Sequence, residues 1–306
     1  MAFSSRPYQG PADTERMRDL LVSMRTCGHS CWHVGDLVWR LFLQSLGHDL
    51  GKTFRLWDDT DGDLAGFAVW TPSRYRLGLV SFEFQIHPRL RGRGLEEEML
   101  DWVEAQCSQA TAAVHLVTDV GVYEDDRSQI ATLEGRGFLR TDGEGVLFIH
   151  PLDEPIAEPP LPDGYVARSV GGEQEAGARA AAHRDAFDSK RVTEQAYLRL
   201  MRTPSYDRDL DMVIVAPDGT MAAFCCGWLD TANRVGEFEP VGTRQAFRRQ
   251  GLGQAVVLVG LQRMQARGAQ SVVVGPVDLH EEAAMRLYQA AGFRPIYRVY
   301  GYAREI

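Results

Sequence analysis

Two short stretches of this chain combine arginine and glycine in a pattern that suits the binding of a diphosphate. Residues 90–96 read LRGRGLE and residues 247–253 read FRRQGLG, and each opens a segment that predicts a helix. Glycine lets the backbone approach an anion, unpaired amides at a helix N-terminus attract negative charge, and arginine adds charge-assisted contacts. Arg91 and Arg248 lie 157 residues apart, about half of the 306-residue chain, which predicts two similar domains.

The two turns differ at one position that decides which of them can hold an anion. Gly253 of the second turn corresponds to Glu96 of the first, which is followed by Glu97 and Glu98. A carboxylate there adds bulk and negative charge where a diphosphate would lie, although acids in a first helical turn also stabilise the helix through its dipole. We therefore expect the first copy to be degenerate, structural or substrate-shaping, and the chemistry to lie in the second half.

Two carboxylates precede the second turn on a predicted strand. Glu237 and Glu239 alternate along it and so share one face, opposite Phe238. Pro240 cannot donate a ladder hydrogen bond, so it predicts a bulge or a sheet edge. A carboxylate at such an irregularity can face a cleft, which makes Glu239 the candidate general base and Glu237 its alternate. The alternative interpretation is that both are solvated carboxylates on a strand surface.

Each half has the same predicted order of elements, from hairpin and long strand through turn, helix, strand and helix to closing strands. In the first half the segments are 53–57, 64–70, 79–86, a helix from 94, 114–118, a helix over 126–134 and closing strands in 138–149. In the second half they are 165–170, a helical region over 173–202 broken near Ser189, 212–216, 221–229, 234–243, a helix over 251–267, 271–274, a helix over 281–291 and a final strand pair in 293–306. Prolines and acids at 150–163 predict a stiff linker, and hence domains at 1–149 and 164–306.

Two motifs in this order connect the chain to a known family. Residues 248–253 (RRQGLG) match the pattern R/Q-x-x-G-x-G/A, and residues 288–293 (YQAAGF) match Y-x-x-x-G-F. With them the chain resembles the GNAT (GCN5-related) N-acetyltransferases, arranged as a tandem pair, and its two-domain organisation is loosely similar to that of mycothiol synthase-like proteins. The resemblance implies an α/β fold with two tandem GNAT-like domains, each a mostly antiparallel mixed sheet flanked by helices.

The resemblance also implies an activity and the residues that carry it. An acetyl group would pass from acetyl-CoA to a primary amine by direct attack in a ternary complex, and Tyr288 would protonate the leaving thiolate. Leu133 stands in place of Tyr288 in the first half, and Glu281 stands where the family often has an asparagine, so that asparagine's contact is not carried over. The implied acetyl-CoA contacts are Val241, Thr243, Arg248, Arg249, Gln250, Gly251, Leu252, Gly253 and Gln254.

The acceptor is expected to be a small molecule that lies between the domains or over the C-terminal strand. Asp188, Tyr206 and Asp207 are candidates to line its site, with ordinary surface residues as the alternative interpretation. A rival function from another class is a non-catalytic acyl-CoA sensor or interaction module, which would need neither Glu239 nor Tyr288. The sequence leaves the acyl length and the choice between monomer and homodimer open.

Composition narrows the partners and the compartment. The formal net charge of −9 and the pI of about 5.4 argue against nucleic-acid or anionic-membrane binding. No apolar run approaches a membrane span, residues 1–7 do not form a signal peptide, and five cysteines without secretory features predict a cytoplasmic protein with reduced thiols. No metal is expected: the two Cys and two His within residues 27–33 are interpreted as a loop before a helix, because so compact a stretch rarely supplies four zinc ligands.

Overall fold

The computed structural model describes residues 3–28, 32–73, 78–107 and 114–306. The strands in these ranges are β1 (Ser4–Pro7), β2 (Phe54–Asp58), β3 (Leu64–Pro72), β4 (Leu79–Ile86), β5 (His115–Thr118), β6 (Val122–Tyr123), β7 (Leu139–Pro151), β8 (Val166–Ser169), β9 (Asp211–Val215), β10 (Met221–Asp230), β11 (Val235–Thr243), β12 (Ser271–Asp278) and β13 (Arg294–Glu305). The helices are α1 (Pro11–Thr26), α2 (Val34–Ser45), α3 (Leu50–Thr53), α4 (Leu95–Cys107), α5 (Arg127–Gly135), α6 (Ala176–Ala186), α7 (Glu194–Met201), α8 (Leu252–Ala266) and α9 (Glu282–Ala290).

All of these strands belong to one continuous mixed sheet. Its order is β1-β2-β3-β4-β5-β13-β7-β12-β11-β10-β9-β8, with β6 paired to β13. Most neighbours are antiparallel, whereas β4–β5 and β11–β12 are parallel. The predicted fold class, a largely antiparallel mixed sheet flanked by helices, is confirmed.

The last strand of each half pairs with a strand of the other half. β7 pairs with β12, so that Pro151 lies opposite Ser271, while β13 pairs with β5, so that Ala303 lies opposite Val117. β7 and β13 also pair with each other across the middle of the sheet. The strand pairs expected in 138–149 and 293–306 are therefore wrong in detail. Each is one long strand with register shifts, because its successive parts pair with different neighbours.

The other predicted elements match the structure closely. β4 has the predicted bounds, and α6 and α7 are separated by a break that contains Ser189. Helix α8 packs apolar residues around most of its circumference, since Val257, Leu261 and Met264 are as buried as the predicted inner face. Sequence patterns did not predict α1 or β1, and they placed α2 only approximately. These elements add a separate apolar cluster around Met17, Leu21 and Phe54.

Helix α2 of the first half packs against the second half. Its apolar residues Val38, Trp39 and Phe42 share a core cluster with Tyr197 of α7 and Trp228 of β10. Gly35 makes this approach possible: a Cβ there would lie 2.3 Å from Glu237 Oε2 and 2.4 Å from Trp228 Cδ1. The N-terminus of α2 is fixed by a capping box, in which His33 Nδ1 accepts from the Gly35 amide and the Asp36 carboxylate accepts from the His33 amide.

Candidate active site

The two arginine-glycine turns have the same backbone conformation at positions that are 157 residues apart, as the sequence predicts. Positive φ angles occur at Gly92 (69°) and Gly94 (91°), and at their counterparts Arg249 (62°) and Gly251 (77°). A 3₁₀ turn precedes each, and the helices begin at Leu95 and Leu252. The alignment that sets Glu96 against Gly253 is therefore present in the conformation as well as in the sequence.

In the first turn a carboxylate of the protein takes the place of a ligand anion. Glu96 is 2% exposed, and its Oε1 accepts a hydrogen bond of 2.7 Å from the Gly92 amide and another from Ser128 Oγ. Ser128 lies at the start of α5, so Glu96 joins the turn to two helices. The amide that would face a phosphate is thereby satisfied internally.

The second turn leaves the equivalent donors free. Within the described residues, no acceptor bonds the amides of Arg249, Gly251, Leu252 or Gly253. A Cβ at Gly253 would meet only Thr243 Oγ1, at 3.2 Å, among atoms closer than 3.4 Å. The turn therefore has room and donors for an anion at the N-terminus of α8.

Some side chains of this turn are hydrogen-bonded within the protein, and others are exposed. Arg248 donates from Nε to the Thr243 carbonyl at 3.3 Å and from an Nη to the Ala186 carbonyl at 2.8 Å. Arg91 makes the same bond to the Ile86 carbonyl at 3.4 Å, so the first arginine of both turns anchors the turn to the preceding strand. Gln250 accepts from the Tyr165 hydroxyl and Gln254 donates to the Ala290 carbonyl. Arg249 is exposed and free to meet a phosphate.

The strand before the turn separates from its neighbour where the sequence predicts an irregularity. β11 pairs with β10 up to Thr243 but pairs with β12 only from Val235 to Glu237. Opposite Pro240 the register with β10 shifts, which confirms the predicted bulge. Val241 and Thr243 thus lie on a stretch of β11 whose far edge pairs with no strand of the described residues, and such an edge can bond an extended ligand.

Glu239 lies on this stretch with the properties of a general base. Its side chain is half-buried, and no described residue donates a hydrogen bond to it. Burial and the nearby Asp36 raise the pKa of Glu239 to about 8, against the opposing charge of Arg40. A carboxylate that loses its proton near neutral pH and has no internal donor can accept a proton from a ligand.

Glu237 differs from Glu239 because it is buried among internal partners. Its Oε2 lies 3.2 Å from His33 Nδ1. His33 Nε2–H donates to the Val235 carbonyl, so Nδ1 carries a lone pair, and burial lowers the pKa of His33 to about 4. That lone pair accepts a hydrogen bond from the Gly35 amide. Burial raises the pKa of Glu237 to about 8, and a side-chain hydrogen bond with Asp36 of α2 opposes that rise. Glu237 is therefore engaged in contacts within the protein, which distinguishes it from Glu239.

Tyr288 lies on α9 beside the first-half strand β7. Its ring packs against Phe148 of β7 at 6.3 Å and Phe293 at 5.6 Å between centroids. The side chain is 9% exposed, and burial, reinforced by the charge of Glu239, raises the pKa of its hydroxyl. The hydroxyl stays protonated at neutral pH and has no hydrogen-bond acceptor among the described residues, so it is available as a proton donor.

Two charged residues from the first half belong to this region and were not predicted from the sequence. Asp36 and Arg40 lie one turn apart on α2, and burial together with the charge of Glu237 raises the pKa of Asp36 well above its usual range. The signal in the sequence is a pair of charges at i and i+4 inside the apolar pattern of a helix. Nothing in the sequence tells which strand that helix packs against.

The remaining candidates have other surroundings. The Tyr206 hydroxyl donates to the buried Asp211 at 2.9 Å, and Asp207 pairs with Arg267 at 2.7 Å. Asp188 is exposed at the break after α6, with φ of 46°. Of the compact Cys/His stretch, His29 and Cys31 lie outside the described residues, and His33 caps α2. The part of the chain that the structure describes holds no group of three potential metal ligands and no helix with the length and apolar character to cross a membrane.

A donor-rich turn at a helix N-terminus, a strand that leaves its neighbour, a carboxylate with a raised pKa and a protonated tyrosine are groups that an acyl-CoA-dependent transferase needs. The comparison with known families agrees: residues 180–293 match the model described as the acetyltransferase (GNAT) family. A mycothiol acetyltransferase of Thermobispora bispora is 30% identical over 262 residues, which cover 81% of this chain and 82% of that protein. The chain belongs to the GNAT acetyltransferase family, whose members use acetyl-CoA as co-substrate.

Further similarities extend over the whole length. The mycothiol acetyltransferase of Paenarthrobacter aurescens is 26% identical over 307 residues, covering 93% of this chain and 91% of its own. A GCN5-related N-acetyltransferase from Sphaerobacter thermophilus superposes with a TM-score of 0.67 at 24% identity, over 99% of this chain and 95% of that one. A tandem GNAT protein from the clavulanic acid biosynthesis pathway gives a TM-score of 0.70 at 16% identity, over 99% and 98% of the two chains.

Proposed function

We propose that this enzyme transfers an acetyl group from acetyl-CoA to the primary amine of a small molecule, and that the reaction takes place in the second half of the chain. The observation that carries the proposal is the opening between β11 and β12. Glu239 lies on the strand beside it, Tyr288 lies nearby, and the free amides of the second turn follow it in the chain. The GNAT match also lies within this half, at residues 180–293.

Acetyl-CoA supplies the activated acyl group. The amides of the second turn and Arg249 would hold its diphosphate, and the unpaired edge of β11 at Val241 and Thr243 would bond the extended arm. Glu239 would take a proton from the amine as it attacks the carbonyl carbon, and Tyr288 would give a proton to the departing thiolate. No covalent bond to the enzyme is needed, since both reactants can be bound together.

The first half would bind no second acetyl-CoA. Glu96 fills the position of the phosphate with its own carboxylate, and Leu133 cannot donate a proton. We propose that this half shapes the acceptor site instead, since α2 brings Asp36 and Arg40 toward β11. The relatives named mycothiol acetyltransferase make an amine of the mycothiol pathway the first acceptor to test.

The test is a mass-spectrometric screen for acetylated product with acetyl-CoA and a panel of primary amines, including amino sugars, amino acids and alkylamines. For an amine that turns over, kcat/KM should rise with pH through about 8, because Glu239 must lose its proton to act as a base. Glu239→Gln should lower kcat/KM on the order of 10²-fold or more. Glu237→Gln is the matched control and should retain most activity, because Glu237 is engaged in contacts within the protein and the amide keeps its size and its hydrogen-bonding atoms.

Two outcomes would contradict the proposal. Full activity in Glu239→Gln would remove Glu239 from the base role, and a greater loss in Glu237→Gln would transfer that role to its neighbour. Two equivalent CoA sites per chain in calorimetry would contradict the closed first half.

A further inference from the structure

The first half contains its own opening beside a parallel strand pair, and protein groups fill it. β4 pairs with β5 up to Phe82 and Thr118, and the next residue, Glu83, turns its side chain into the gap. Glu83 is 4% exposed and accepts hydrogen bonds from Trp32 Nε1 at 3.0 Å and from the Val120 amide at 3.3 Å. The site equivalent to the second-half cleft is therefore plugged.

Arg40 of α2 is anchored on this plug. Its guanidinium pairs with Asp119 at the end of β5, lies 4.0 Å from Glu83 Oε2, and stacks 4.8 Å from the centre of the Trp32 ring. Three contacts from three different segments hold a long side chain that would otherwise be mobile in one place. The side chain keeps 20% of its surface exposed, so the anchored cation also faces open space.

The neighbour of Arg40 on α2 leads to Glu239: Trp39 shares a core cluster with Trp228 of β10, whose Nε1 donates to the Glu239 carbonyl at 2.6 Å. Asp36, one helical turn earlier, lies beside Glu237, and Gly35 brings this end of α2 into van der Waals contact with β10 and β11. A residue four positions later lies on the same face of the helix. This stretch of α2 therefore packs against the part of the sheet that holds Glu237 and Glu239.

We propose that Arg40 is a positioning residue of the second-half site: the plugged cleft of the first half holds its positive charge in place, where it stabilises the ionised form of Glu239. The interaction between Arg40 and Glu239 does not depend on the proposed function. Only its catalytic role rests on that function. Without Arg40, Glu239 would lose its proton only at a higher pH, and a smaller fraction of Glu239 would be ionised at neutral pH.

The charges around Glu239 support this assignment. Asp36 of α2 raises the pKa of Glu239, while Arg40 is the cation that lowers it. The charge of Glu239 in turn raises the pKa of Glu237 on the same strand, of Tyr288 of α9 and of Cys225 of β10, and Arg25 of α1 lowers that of Glu237. Glu83, whose pKa burial raises to about 8, is the other titrating partner of Arg40.

The experiment is a double-mutant cycle in thermal stability at two pH values, which needs no acceptor. Glu239 is protonated in the folded chain at pH 6 and ionised at about pH 9.5, so its attraction to Arg40 exists only at the higher pH. Arg40→Gln should therefore lower Tm more at pH 9.5 than at pH 6. The part of this difference due to Glu239, on the order of 1–3 °C, should vanish in the Glu239→Gln background. The part due to Glu83 should remain there.

Three further variants sharpen the result. Arg40→Lys keeps the charge and should retain most of the coupling, while Arg16→Gln, which breaks the ion pair with Asp58, should change Tm equally at both pH values. Arg40→Met, which keeps an apolar chain over Trp32, replaces Arg40→Gln if that variant does not fold. A loss of stability that is the same at both pH values, or is unaffected by Glu239→Gln, overturns the inference. It would do so even if Glu239 proved to be the base, so failure of the coupling and failure of the proposed function are distinguishable.

Discussion

At the scale of single residues, burial decides which groups of the site keep their protons. It raises the pKa of Glu239 above that of a free glutamate, and it keeps the Tyr288 hydroxyl protonated. Burial raises the pKa of both glutamates on β11 to about 8, yet their surroundings differ. Glu237 is buried beside His33 and shares a hydrogen bond with Asp36, whereas no described residue donates a hydrogen bond to Glu239. Identical residue types two positions apart thus become a buried structural carboxyl group and a candidate base.

Tyr288 gives the sharpest residue-scale prediction. Tyr288→Phe should lower kcat on the order of 10²-fold, because the leaving thiolate would lose its proton donor, while the dissociation constant of acetyl-CoA measured by calorimetry should barely change. Tyr297→Phe, an accessible tyrosine on β13, is the matched control. Unchanged turnover in Tyr288→Phe would remove the acid role and leave the ring as a packing residue.

Much of this residue-level account could be predicted from the sequence, because it depends on local spacing. The contrast between Gly253 and Glu96, the bulge at Pro240 and the shared face of Glu237 and Glu239 all follow from residue types a few positions apart. Asp36 and Arg40 could not be assigned a role in this way. Their importance arises from the packing of α2 on β11, about 200 positions later in the chain, and no local pattern specifies that partner.

At the scale of elements, the start of α8 differs from the start of α4 in one side chain. We expect Gly253→Glu to weaken acetyl-CoA binding on the order of 100-fold or more, because the new carboxylate would turn back to the Arg249 amide as Glu96 turns to that of Gly92. Calorimetry measures the change, and Gly253→Gln separates charge from bulk. Near-normal binding in Gly253→Glu would mean that the diphosphate lies elsewhere.

The contact between α2 and the second half makes a separate prediction about stability. Gly35→Ala should destabilise the fold by about 1–3 kcal/mol, because the added methyl group would overlap Glu237 and Trp228 and push the helix outward. Urea denaturation followed by circular dichroism measures this. Gly135→Ala in α5 is the control, since a Cβ there meets nothing within 4 Å and alanine favours a helix. Equal stability of the two variants would mean that α2 can shift without cost.

At the scale of the whole molecule, the exchange of β7 and β13 decides whether the halves can exist apart. A cut within residues 150–163 gives a fragment 164–306 that lacks β7, the neighbour of both β12 and β13. Two strand edges would then lose their hydrogen-bond partners, and Phe148 would be missing from beside Tyr288. We expect this fragment to aggregate or to lack native circular dichroism, and fragment 139–306, which restores β7, to be more soluble and more structured. Co-expression of 1–163 with 164–306 should recover a folded complex by size-exclusion chromatography, since every strand again has its partner. A monomeric, folded 164–306 would show that the exchange adds little, and that the repeat of 157 residues marks two self-sufficient domains.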